Sequence, residues 1–189
     1  NWEWIDDFLI KRPWNKIVDL NNINYLNIII EKGLLDNIIA KNMIEPLLKA
    51  RGLHSEITLK EFFEFSNINI YFYSTNLNSM CLECLQINHI TYPEMKLYDA
   101  LYSTMNIPFI FKPYFLDNKC LIDGGLVNNN PIKSCIDNEN CDLDNILYFT
   151  NSTKSETTII EKETHFFKLI LLLLSKLALT VMWNNYEDG

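Results

Sequence analysis

A mixed α/β fold, a central sheet with a helix packed on it, follows from three features of the sequence. Ile68 to Thr75 is rich in β-branched and aromatic residues, long enough for a buried strand and too short for most helices. Leu97, Ala100, Leu101, Thr104 and Met105 fall at i, i+3, i+4, i+7 and i+8, which defines one face of a helix that packs on that sheet. Cys120-Leu121-Ile122 then leads an apolar strand into Asp123-Gly124-Gly125, followed by Leu126-Val127, three asparagines and Pro131. Two glycines allow a sharp turn without a Cβ clash, and the Asn run closed by proline suits a tight polar loop. A carboxylate at the exit of a strand is well placed to act as a base, although Asp-Gly-Gly on its own is more often an ordinary turn.

Taken in order, Trp2, Ile5, Phe8 and Leu9 keep helical spacing until Pro13, so Asn1 to Arg12 reads as the tail of a helix. Ile17 to Ile30 is apolar, dotted with asparagine, and expected to be irregular with short helical turns. Asp36 to Arg51 forms a second helix, stopped by Gly52, in which Pro46 marks a bend or a fresh first turn. Thr58 with Glu61 is a capping-box pattern for a short helix through Phe65. Cys81 to Ile90 reads as an edge strand after the Asn76 to Ser79 turn. Pro93 suits the first turn of the next helix and Pro108 forbids its continuation.

Tyr114 to Leu116 and Cys120 to Ile122, joined by Asp117-Asn118-Lys119, form a hairpin that delivers Asp123 to a cleft rim. Ile136 to Leu143 reads as an acidic loop, and Asn145 to Thr150 as a further core strand. His165 to Trp183 is the most hydrophobic stretch, but Lys168 and Lys176 interrupt it, so a buried terminal helix is favoured over a membrane span. If exposed, its Phe166, Phe167 and Leu169 to Leu174 make a lipid-facing surface.

The 189 residues, 48% hydrophobic, suffice for one substantial core, and no change of composition marks a second domain. A net charge of −8 and the lack of any Lys/Arg run argue against a nucleic-acid surface and against a grip on anionic headgroups. Five cysteines, an odd number, fit a reducing compartment. Cys81 and Cys84 form a C-x-x-C, but positions three apart on a strand face opposite ways and no second pair follows, so packed thiols are expected and no metal. Asp137, Glu139, Asp142 and Asp144 lack the glycine of a calcium loop and read as solvated surface. Asn151-Ser152-Thr153 matches a glycosylation sequon that matters only in a secreted protein.

The succession of a helix, Ile107-Pro108, an aromatic-proline segment, a hairpin, Asp123-Gly124-Gly125, and then Asn and Pro131 resembles the C-terminal half of the patatin-like phospholipase domain. The resemblance covers Ile68 to Pro131 well and the flanks loosely, so residues 1–189 are read as part of one such domain, with 164–183 as a terminal apolar helix. It implies a three-layer sandwich around a mostly parallel sheet with helices on both faces. It also implies a lipid acyl hydrolase in which Asp123 is the base of a Ser-Asp dyad, supported by Gly124 and Gly125 and working without a cofactor. Phospholipid or acylglycerol is the implied substrate, and a peripheral membrane or lipid-droplet surface the implied partner, in a cytoplasmic or peripheral-membrane setting.

That family carries its nucleophile in a G-x-S-x-G elbow and its oxyanion hole in a Gly-rich loop. Glycine stands here only at 33, 52, 124, 125 and 189, so residues 1–189 hold neither motif. The chain is therefore read as beginning after the nucleophile helix and supplying only the Asp of the dyad. An apolar trough beside Asp123 and Gly124 is expected for the missing serine. Neither Ser74 nor Ser103 is expected to offer its hydroxyl to Asp123. The rival reading is a non-catalytic binding or scaffold domain of the same fold.

Overall fold

In a computed structural model, residues 2–14, 26–128, 130–149 and 160–187 are described. The chain divides into two compact units, Asn1–Gly124 and Gly125–Gly189. The first opens with α1 (Trp2–Asp6), whose helical path widens into a π turn over Asp7–Lys11 before Pro13. Residues 15–25, which hold most of the stretch expected to be irregular, lie outside the described residues, and α2 (Leu26–Glu31) follows.

Helix α3 (Ile38–Ala50) carries Pro46 in its interior. A proline there removes the N–H that would bond the Asn42 carbonyl four residues back. The Arg12 guanidinium fills the vacancy, donating to the Asn42 carbonyl and, at 2.8 Å, to that of Met43. Helix α4 (Leu59–Ser66) starts at the expected box, with the Glu61 N–H on Thr58 Oγ1 at 3.2 Å and the Thr58 N–H on Glu61 Oε2 at 2.8 Å.

Four strands form one sheet: β1 (Phe72–Asn76), β2 (Glu83–Ile87), β3 (Tyr114–Leu116) and β4 (Lys119–Asp123), in the order β2-β1-β4-β3. Every neighbouring pair is antiparallel, which corrects the expectation of a mostly parallel sheet. The reason lies in the connections. Leu77–Leu82 joins β1 to β2 and Asp117–Asn118 joins β3 to β4, both too short for the crossover a parallel pair needs. β2 takes the edge position expected of it. β1 begins at Phe72, later than expected, and Ile68 stays exposed.

Helix α5 (Leu97–Met105) covers the sheet, its Leu97 and Ala100 sharing a core with Ile87, Leu121, Leu48, Ile57 and Leu59. It starts four residues beyond Pro93, whose carbonyl instead receives the Lys60 N–H at 3.1 Å. Met105 is its last residue, as the following Ile107-Pro108 requires.

In the second unit, α6 (Ile132–Glu139) overturns the acidic loop expected from Ile136 onward. Pro131 presets its entry, Ile132, Cys135 and Ile136 keep helical spacing, and Asn140 ends it in the left-handed conformation at φ 47°. Residues 145–149 form no strand. Turn bonds from the Asn145 N–H to the Asp142 carbonyl and from the Ile146 N–H to the Leu143 carbonyl take the place of a ladder, and Leu147, Tyr148 and Phe149 are exposed. Helix α7 (Phe166–Glu187) runs longer than expected. Phe166, Leu169, Leu171, Leu173 and Leu177 are exposed, in contrast to a buried terminal helix. No helix among the described residues is long and apolar enough to cross a membrane.

Candidate functional site

Asp123 is the last residue of β4, half-buried, as its apolar approach predicts. Both of its main-chain groups are held. Its N–H donates to the Asn106 carbonyl at 3.0 Å, and its carbonyl accepts from Thr75 Oγ1 at 2.9 Å. Across the ladder it stands directly opposite Ser74, so the two side chains leave the same face of the sheet.

Gly124 is buried and opens a 3-10 turn over Gly124–Leu126 that includes Gly125. A Cβ on Gly124 would fall on the main-chain carbonyl of Tyr73. The need for glycine here is therefore set by the close approach of β1. The same Tyr73 carbonyl accepts from Thr104 Oγ1 at 2.6 Å, which ties the last turn of α5 to β1 beside the site.

Ser74 and Ser103 are both fully buried. Ser74 Oγ donates to Ser103 Oγ at 2.9 Å, and Ser103 Oγ donates to the Ala100 carbonyl at 2.9 Å. Each hydroxyl proton is committed away from Asp123. Sequence reasoning missed Asn106. It lies next to Ile107-Pro108, where a polar residue looks like nothing more than a helix stop. It is fully buried, with Nδ2 donating to the Leu121 carbonyl at 3.0 Å and Oδ1 without a partner.

A separate polar cluster sits at the other end of α5. Glu56 pairs with Lys41 and, at 2.5 Å, with Lys96, and its carboxyl is drawn down to about 2, first by the Lys41 hydrogen bond and then by that of Lys96. Nearby, a cavity of about 390 Å³ is lined by Tyr92, Met95, Lys96, Asp99, Tyr114 and Leu116, among others. Burial, and then the neighbouring Asp99 carboxylate, push the Tyr114 phenol above its ordinary range. Asp123 does not line this cavity.

All five cysteines are free thiols. Cys81 is exposed in the turn before β2, Cys84 lies within β2, and burial raises the Cys120 thiol. Among the described residues no group of His, Cys, Asp and Glu is arranged to hold a metal ion.

Comparison with known proteins gives these elements a context. The family model described as patatin-like phospholipase matches residues 3–136, well over half of the chain. A protein named "Probable lipid hydrolase 463L", from Invertebrate iridescent virus 6, is 30% identical over 106 residues, 56% of this chain and 36% of that protein. The chain thus spans little more than a third of that relative's length. No solved structure matches. With Asp123 at the exit of β4 and the family match running through it, the chain belongs to the patatin-like phospholipase family.

Proposed function

We propose that this chain contributes the base of a Ser-Asp dyad to a lipid acyl hydrolase, with Asp123 as that base. The observation that carries the reading is how Asp123 is presented: at a strand exit, with its N–H and carbonyl both anchored and followed by a glycine whose Cβ would collide with the Tyr73 carbonyl. General-base catalysis without histidine needs a carboxylate whose position is fixed and whose hydration is reduced, and a half-buried strand terminus meets both needs.

In this reading the serine comes from a G-x-S-x-G turn outside residues 1–189. Asp123 accepts the serine proton as Oγ attacks the ester carbonyl, then returns it to the departing alcohol, leaving an acyl-enzyme. It next takes a proton from water, whose oxygen attacks the acyl carbon. The fatty acid departs and the proton passes back to the serine. Phospholipid or acylglycerol is the substrate class, met at a peripheral membrane or lipid-droplet surface. Residues 1–189 by themselves are inactive, and we treat them as part of one patatin-like domain ending in the apolar helix over 164–183.

The experiment is fatty-acid release from phospholipid vesicles and from emulsified acylglycerol by the full-length protein and by its Asp123→Asn variant. Activity that disappears in the variant supports the dyad. An active Asp123→Asn protein, or activity in residues 1–189 alone, overturns it. The second reading, a non-catalytic binding domain, is favoured by the lack of a G-x-S-x-G among residues 1–189. Vesicle binding by the full-length protein without any ester hydrolysis would select it.

A further inference from the structure

We propose that Asn106 is the positioning residue for Asp123, taking the place of a strand where β3 ends. The proposal rests on the dyad reading above. The last register pair between β3 and β4 is Tyr114 with Leu121, while β1 continues alongside β4 as far as Ser74 with Asp123. Ile122 and Asp123 therefore leave β3 behind just where the candidate base is presented.

The chain before β3 cannot extend the ladder. Pro113 has no N–H. The Lys112 N–H is given to the Leu35 carbonyl at 2.8 Å, and the Lys112 carbonyl accepts from the Tyr102 hydroxyl at 2.6 Å. Asn106 enters the vacated lane. Its main-chain carbonyl accepts from the Asp123 N–H and its Nδ2 donates to the Leu121 carbonyl, both at 3.0 Å. One residue thus grips β4 at two points that bracket Ile122.

The cost of this arrangement is visible in Asn106 itself. It is fully buried and its Oδ1 is unpaired, an acceptor removed from water with nothing in return. An apolar side chain would fill the same space without that loss, but it would give up the Nδ2 bond to the Leu121 carbonyl and leave the strand exit held by the main-chain carbonyl of residue 106 alone. A base displaced by an ångström loses much of its rate, so the hold on β4 is where such a cost finds its use.

The test uses the full-length protein and reads both the strand and the reaction. In Asn106→Ala we expect amide exchange at Asp123 to quicken at least tenfold while that of Tyr73 and Gln86, in the β1 to β2 ladder, stays unchanged. We expect kcat for a soluble ester to fall on the order of a hundredfold with KM within about twofold of wild type. Asn106→Asp, nearly the same size, carries the test if the alanine variant does not fold. Its carboxyl donates to the Leu121 carbonyl while protonated and repels it once ionised, so protection at Asp123 and kcat should both drop as pH rises through that titration, against the wild-type trend.

Wild-type protection at Asp123 in both variants, or a pH profile in Asn106→Asp that matches wild type, overturns the proposal. So does a kcat that falls only in proportion to the unfolded fraction. The two readings fail separately. Unchanged exchange beside an active, Asp123-dependent wild type removes the role of Asn106 and leaves the dyad. A fully active Asp123→Asn removes the dyad, and with it the base that Asn106 is proposed to position, even if the exchange result shows the clamp.

Discussion

At the N-terminal end of α5, Lys41, Glu56 and Lys96 form a charged network open to water, whereas at its C-terminal end Ser74, Ser103, Thr104 and Asn106 form a neutral network largely sealed from it. Exposed ion pairs tolerate loss because water takes over each partner, so they do little to fix geometry. Buried neutral groups have no such substitute, and each bond they make constrains the backbone it touches. The end that holds Asp123 is built in the second way. Positional accuracy is concentrated there, and the charged end can vary without disturbing it.

The comparison can be broken or sharpened by five substitutions. The largest effect is expected for Asp123→Asn, which keeps shape and removes the proposed base. Fatty-acid release should fall by about 10² to 10⁴-fold, with the thermal midpoint close to wild type. Next is Gly124→Ala, whose Cβ meets the Tyr73 carbonyl. Overpacking against main chain should cost about 3 kcal/mol or more in denaturant unfolding, and a variant as stable as wild type would show that β1 yields there.

The buried serines come third. Ser103→Ala leaves the Ser74 hydroxyl without its acceptor and should cost about 1 to 3 kcal/mol. Ser74→Ala removes a donor and should cost about 1 kcal/mol. Neither should alter kcat in the folded protein. Abolition of activity by Ser74→Ala would instead identify that residue as the nucleophile.

The smallest effect is expected for Glu56→Gln. The Glu56 carboxyl is drawn below its ordinary 4.5 to about 2 in the folded chain. Its stabilising contribution is therefore complete above the ordinary value and fades as pH falls toward 2. Wild type should lose stability across that window faster than Glu56→Gln, and added salt should narrow the difference. A variant whose acid profile overlays wild type would show that this network contributes nothing measurable.

Much of this was readable from residue patterns because the forces involved are local. The Thr58 and Glu61 box, the periodic face of Leu97 to Met105 and the apolar approach to Asp123 are each settled within a few residues. Strand direction was readable for the Tyr114 to Ile122 hairpin but not for the sheet as a whole, where the resemblance implied mostly parallel strands and every pair is antiparallel. Asn145 to Phe149 has strand-like composition, but the acidic turn before it closes local bonds first. Asn106 was invisible for another reason. Its role depends on where β3 stops, and that is decided by Tyr102, Leu35 and Lys112, which come together only in the folded chain.

The pairing of β1 with β4 has a consequence for how this region assembles. β1 with β2 and β3 with β4 are hairpins whose short connections let each close on its own within microseconds. Joining Ser74 to Asp123 and Asn76 to Leu121 bridges a long stretch of chain that includes α5, so it waits on the docking of two preformed pieces. Asp123 thus gains its neighbours in the slow, non-local step and loses them in the first step of unfolding along that route. A half-folded chain would carry both hairpins without the pairing that sets Ser74 opposite Asp123.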